Sequence, residues 1–193
     1  MDSNAEAFFE TSRLVIRKFE VEDIVAFYAY RSNPVIAKYQ SWENYQYEQA
    51  EEFVRNQLSN TPDVPGSWFQ YAIALKENNQ LIGDIGVHTL LNEPVMVEFG
   101  FTLSHDYQGK GYAVEAVKGL FYYLFGTLNK HKVSAYTDVR NEPSIRLLEK
   151  LPMRREGHLL ENFLTKGKWV DEYLYGFLKS EWESQRDRNV PVD

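Results

Sequence analysis

The sequence of 193 residues contains no cysteine. Disulfides, thiolate metal sites and a cysteine nucleophile are thereby excluded. It has no apolar run long enough to span a bilayer, and residues 1–10 are too acidic and polar for a secretory leader, so the expected location is the cytoplasm. Positive charge is in deficit. Lys and Arg number 21 against 28 Asp and Glu, a net charge of −7. That argues against a broad phosphate-binding face for nucleic acid, while the long-range field favours cationic partners. Repeats, low-complexity tracts and interdomain linkers are also missing. What remains is an ordinary globular balance, 44% hydrophobic and 25% charged, of a length that suits one domain. Aromatic residues reach 15%, with 13 Tyr and 12 Phe. They read as a sheet-rich core, or in part as the lining of a cleft.

Hydrophobic periodicity divides the chain into two rhythms. Residues 9–18 alternate around Leu14 and Ile16 and read as a strand. Residues 21–31 and 47–58 have helical spacing, and 60–67, with two prolines and a glycine, read as a loop. Strands follow at 68–75, 81–89 and 95–103, the first two joined by a turn at 77–80. The second half turns to helix 111–125, strand 133–139, short helix 143–151 and a closing hairpin, 154–163 with 168–179. Strand, helix, strand implies a parallel crossover set into a mixed sheet. The expected core is 9–182, with 183–193 a polar tail.

The stretch Gln108-Gly109-Lys110-Gly111-Tyr112-Ala113 stands between a strand and the long helix. Its glycines allow the backbone to turn tightly and approach a ligand closely. The unpaired amides at the helix start, beside the positive end of its dipole, suit a phosphate or pyrophosphate. The Gly-x-x-x-x-Gly-Lys-Ser/Thr phosphate loop and the three-glycine dinucleotide fingerprint are both absent, position 114 being Val114. Taken alone, the loop is equally consistent with a plain tight turn.

Gln108, Gly111 and Ala113 match the Gln/Arg-x-x-Gly-x-Gly/Ala motif, and here the chain resembles the GNAT N-acetyltransferases. The order of further motifs resembles the branch that acetylates ribosomal-protein N-termini. These are Glu10 to Leu14 with Ile16-Arg17, Leu81-Ile82-Gly83, Glu98 to Phe101, Asn141 to Ser144, Leu148 to Leu151, Arg155 to Gly157, Gly167 to Asp171 and Glu181-Trp182. One departure stands out. Pro152-Met153 replaces the usual Gly-Phe, and proline cannot take the left-handed backbone of a glycine helix cap, so that helix should end differently.

The resemblance implies an α/β (α+β) single-domain GNAT fold, with a mixed, mostly antiparallel sheet of about seven strands, a splayed central parallel pair and flanking helices. It implies that acetyl-CoA, without a metal, binds through the amides of Gln108, Gly109, Lys110, Gly111, Tyr112 and Ala113, and along the backbone of Phe101, Thr102 and Leu103. Asn141 would touch the pantetheine arm. Glu98 is the candidate general base for the acceptor amine, and Glu161 the second. Ser144 is the candidate group for the departing thiolate, with Tyr136 and Tyr173 behind it. Asn141 and Ser144 read equally as ordinary helix-start residues, and Glu98 as a solvated strand glutamate. Of the four histidines, His105 lies just before the loop, but no motif supports any of them. Lys110 and Lys118 could face phosphates. The acceptor would be a small-molecule amine or a polypeptide N-terminus, the assembly a monomer or homodimer, and the alternative function a non-catalytic acyl-CoA-binding module.

Overall fold

The computed structural model describes residues 7–188. Its frame is one eight-stranded sheet in the order β1-β2-β3-β4-β5-β6-β8-β7. The strands are β1 (Ala7–Glu10), β2 (Leu14–Arg17), β3 (Trp68–Leu75), β4 (Leu81–Thr89), β5 (Met96–Leu103), β6 (Lys132–Asp138), β7 (Arg154–Thr165) and β8 (Lys168–Leu178). The helices are α1 (Ile24–Arg31), α2 (Pro34–Ala37), α3 (Tyr47–Ser59), α4 (Tyr112–Phe121), α5 (Glu142–Leu148) and α6 (Lys179–Arg188). Every neighbouring pair is antiparallel except β5 and β6, which are joined through α4.

The sheet has one strand more than expected because residues 9–18 are two. The Thr11 hydroxyl accepts from the Leu14 amide at 3.1 Å, and the Thr11 amide donates to the Leu14 carbonyl at 2.9 Å, which folds the chain back on itself. A Thr side chain closing its own turn is a weak signal beside alternating apolar residues. The short helix α2 and the longer, polar α6 also escape the periodicity. The expected polar tail therefore starts inside a helix, and its residues 189–193 lie outside the described residues.

Each sheet face has its own core. Phe121 and Leu120 of α4, Phe125 beyond it, Phe177 and Trp182 pack over one face. Phe27, Val54, Phe19 and Leu81 pack on the other, under α1 and α3. Each fully buried Phe or Leu stabilises by roughly 1.5–3 kcal/mol. The second face also buries a polar knot. Asp84 is wholly buried; it accepts from the Tyr30 hydroxyl at 2.6 Å, from Arg31 at 2.9 Å and from Gln70. The Arg31 guanidinium lies 3.8 Å above the Trp42 ring. This knot ties α1 and the chain after α2 to the sheet, beside the cleft described below.

The departure at Pro152-Met153 has the expected outcome. α5 ends in right-handed backbone at Glu149, φ −73°, and the Lys150 and Leu151 amides tighten onto Leu147 and Leu148 at 3.0 and 3.1 Å. Met153 fills the core where the usual Phe would.

Candidate active site

β4 pairs with β5 through to Leu103, and β8 pairs with β6 through to Asp138. Between β5 and β6 only Met96↔Lys132, Val97↔Val133 and Glu98↔Ser134 face each other. Beyond Glu98 the two strands part, leaving the inner edges of 99–103 and 135–138 without a strand partner. A cleft of about 340 Å³ opens there, with Phe99, Gly100, Phe101, Ala135, Tyr136 and Ser144 among its lining. The expected opening between the parallel strands is therefore present. Gly100 contributes open space, since a Cβ built on it would meet nothing within 4 Å. Backbone groups on such edges need a partner, from water or from a ligand.

At the far end of β5 the chain enters the glycine loop. Gly109 and Gly111 both have left-handed backbone, φ +74° and +83°. Gly111 is the residue before α4, and no side chain caps that helix. The first amides of α4 are thus open to a ligand beside the positive end of its dipole. Gln108 folds back to donate to the Leu103 carbonyl at 3.0 Å, which fastens the loop to the end of β5. A wider groove of about 810 Å³ runs along the other side of the loop, past Gly109, Gly111, Lys118 and Lys150. Lys110 is exposed and leans 5.5 Å over the Tyr107 ring.

The loop is held from behind by the turn between β1 and β2. Glu115 of α4 accepts from the Thr11 hydroxyl at 2.6 Å, the Arg13 amide at 2.8 Å and the Arg13 Nε at 2.7 Å. Arg13 in turn donates to the Lys110 carbonyl at 3.2 Å and lies 4.2 Å above the Tyr112 ring. Burial alone would raise the Glu115 pKa, but the hydrogen bonds from Thr11 and Arg13 outweigh it and hold the carboxylate below its usual range.

Glu98 is the last residue of β5 that pairs with β6, is half-buried, and lies on the sheet face under α1 and α3. Its Oε2 is 3.5 Å from His88 Nδ1. At that separation the nitrogen makes no hydrogen bond, although it is buried. Trp68 stacks on His88 with ring centres 5.1 Å apart. Asn141 caps α5, its side chain accepting from the Ser144 amide at 3.3 Å. Both Asn141 and Ser144 line the cleft, on the wall opposite β5. Glu161 is elsewhere: it is exposed at an irregularity of β7 and donates its amide to Asp171 at 2.9 Å. Tyr136 lines the cleft. Tyr173 lies under the Arg155 guanidinium at 3.9 Å, outside the cleft lining, and His105 is exposed. No cluster of potential metal ligands occurs among the described residues.

The profile of the Acetyltransferase (GNAT) domain family matches residues 13–154. The chain belongs to the GNAT acetyltransferases. It is similar to the N-acetyltransferase p20 of Bacillus licheniformis, 34% identical over 173 residues, which are 89% of this chain and 96% of that one. It is also similar to a GNAT-family acetyltransferase of Bacillus anthracis, whose crystal structure superposes with a TM-score of 0.80 at 31% identity, covering 89% and 98% of the two chains. A spermidine N(1)-acetyltransferase of Vibrio cholerae is 25% identical over 172 residues, 89% of this chain and 96% of that protein.

As a GNAT acetyltransferase the protein is an acetyl-CoA-dependent enzyme. Sequence reasoning missed the Arg13–Glu115 clip and the His88–Trp68 stack. Arg13 and Glu115 are 102 residues apart, and His88 meets Trp68 only through the β3–β4 register. Neither pairing leaves a local signature.

Proposed function

We propose that this enzyme transfers the acetyl group of acetyl-CoA to a primary amine by direct attack within a ternary complex. The observation that carries the reading is the parting of β5 and β6 beyond Glu98, with the glycine loop at the end of the same strand. An extended pantetheine arm fits against a strand edge that has lost its partner. The amides of Gln108 to Ala113 would hold the pyrophosphate, the backbone of Phe101 to Leu103 the arm, and Asn141 its amide groups.

In the step itself the amine nitrogen attacks the acetyl carbonyl carbon and the C–S bond breaks. An alkylamine arrives protonated, so a base is needed, and Glu98 beside the parting point takes that proton, directly or through water. A backbone N–H of β5 polarises the carbonyl. Ser144, at the first turn of α5 on the opposite wall, hydrogen-bonds the departing thiolate. The order of motifs and the likeness to acetyltransferases of small amines support an acceptor that is a polypeptide N-terminus or a small amine.

Two measurements test this. Acetyl-CoA at one hundred times its dissociation constant should add about 2.7 kcal/mol of stability, while ATP and NAD add none. Thiol release from acetyl-CoA should depend on an added primary amine. Binding without any amine-dependent release would indicate a non-catalytic acyl-CoA module instead.

A further inference from the structure

Charge is distributed unevenly along the acceptor side of the cleft. Its inner end, where β5 and β6 part, is negative. Glu98 stands at the parting point, beside the cleft lining, and the Tyr136 hydroxyl, which does line the cleft, is held above its ordinary pKa by burial and then by the charges of Glu98, Glu172 and Glu156. The outer end is positive. Lys38 after α2 and Lys166 and Lys168 at the tip of the β7–β8 hairpin all line it. Lys166 reaches across to the Ala37 carbonyl at 2.7 Å, strapping the hairpin tip to α2. None of the three ammonium groups has a carboxylate partner among the described residues. Two carboxylates do line the cleft nearby, and both are engaged. Asp138 takes two hydrogen bonds from the Arg140 guanidinium, at 2.9 and 2.6 Å, and Glu172 accepts from Asn162 at 2.8 Å. The mouth therefore carries an excess of positive charge on a protein whose net charge is −7.

We infer that the acceptor is an amine bearing an anionic group, with its amine directed to the Glu98 end of the cleft and its anion to Lys38, Lys166 and Lys168. The inference rests on the acetyl-transfer reading and names the acceptor class for it. A polyamine would set its second ammonium group against the three lysines, which is the like-charge juxtaposition that excludes wrong partners. The global field would draw such a polycation toward the protein, but the three lysines act at contact distance, well inside the Debye length of about 8–10 Å.

The test compares amines of one length. Hexylamine, aminocaproate and hexamethylenediamine are neutral, anionic and cationic at the far end. The tripeptides Ala-Glu-Glu and Ala-Lys-Lys, with free N-termini, repeat the contrast for a polypeptide source. Thiol release with acetyl-CoA gives kcat/KM for each. The inference expects the anionic member of at least one matched pair to exceed the cationic one by about tenfold or more. Lys168→Glu and Lys38→Glu, both at exposed positions, should each lower that ratio severalfold while acetyl-CoA binding is kept. Equal rates, faster cationic acceptors, or a ratio untouched by either substitution would overturn the inference and leave acetyl transfer standing. Release with none of the five amines would overturn both.

Discussion

The two ends of the cleft are built from different materials. The proposed cofactor end is mostly backbone: glycine turns, uncapped helix amides and an unpaired strand edge. The proposed acceptor end is mostly side chains, drawn from β5, β6, α5, the β7–β8 hairpin and the segment after α2. A ligand common to a whole family can be bound by conformation, which changes little with side-chain identity. A ligand particular to one enzyme has to be read by side chains, which vary freely once the backbone is set. The contrast predicts that substitutions at the two ends fail in different kinetic constants.

The largest effect is expected at the acceptor end. Glu98→Gln should lower kcat by about 10²–10⁴-fold, the usual contribution of a general base, while the affinity for acetyl-CoA stays unchanged. Raising the pH should recover part of the rate by deprotonating the amine in solution. A pH–rate profile with one confirmed acceptor checks this. Near wild-type turnover at neutral pH would move the base to another group, with the cleft-lining Glu172 the first to examine.

At the cofactor end the fault should appear in binding. Gly111→Val places a branched residue at φ +83°, where L side chains are strained by about 1–3 kcal/mol. The Cβ would also stand 3.4 Å from the Arg13 guanidinium. Calorimetry should show acetyl-CoA affinity reduced by at least tenfold in a folded protein. Unchanged affinity would mean that the loop conformation is not what binds.

That asymmetry also explains what was legible in the sequence. Gly109 and Gly111 could be read as a loop because conformation itself selects glycine. The splay between β5 and β6 followed from the family likeness and the strand–helix–strand order. The alternation across residues 9–18 reads as one strand because Thr11 closes its turn through a side chain, which leaves no mark on hydrophobic periodicity. His88 and Trp68 gave no signal, since only the β3–β4 register brings them together, and neither did the three lysines at the mouth, since the β7–β8 tip meets the segment after α2 only in the fold. Glu161 resembled a candidate by position, but an irregularity of β7 turns it elsewhere.

A smaller effect sharpens the boundary between the two ends. Glu115→Ala frees Arg13 and lets the Lys110 carbonyl turn, so KM for acetyl-CoA should rise about fivefold with kcat nearly constant, as for loss of about one exposed, charge-assisted hydrogen-bond pair. The clip also sets a pH dependence. Because its folded pKa lies below the ordinary carboxylate range, Glu115 contributes stability that is present above the unfolded value. That contribution is lost as pH falls through the folded one. Thermal melts of wild type and Glu115→Ala should therefore converge at acid pH and differ at neutral pH. Smallest of all, Ser144→Ala should lower kcat about two- to threefold, since water also serves a thiolate that leaves readily.

The central claim is that one cleft holds both substrates at once, the cofactor on the parted strand edge and the amine against Glu98. Initial rates measured while varying acetyl-CoA at several fixed amine concentrations test it most directly. The account predicts double-reciprocal lines that intersect, the pattern of a ternary complex in a chain with no cysteine to carry the acetyl group. Parallel lines, with acetyl retained on the protein after the amine is withheld, would contradict it.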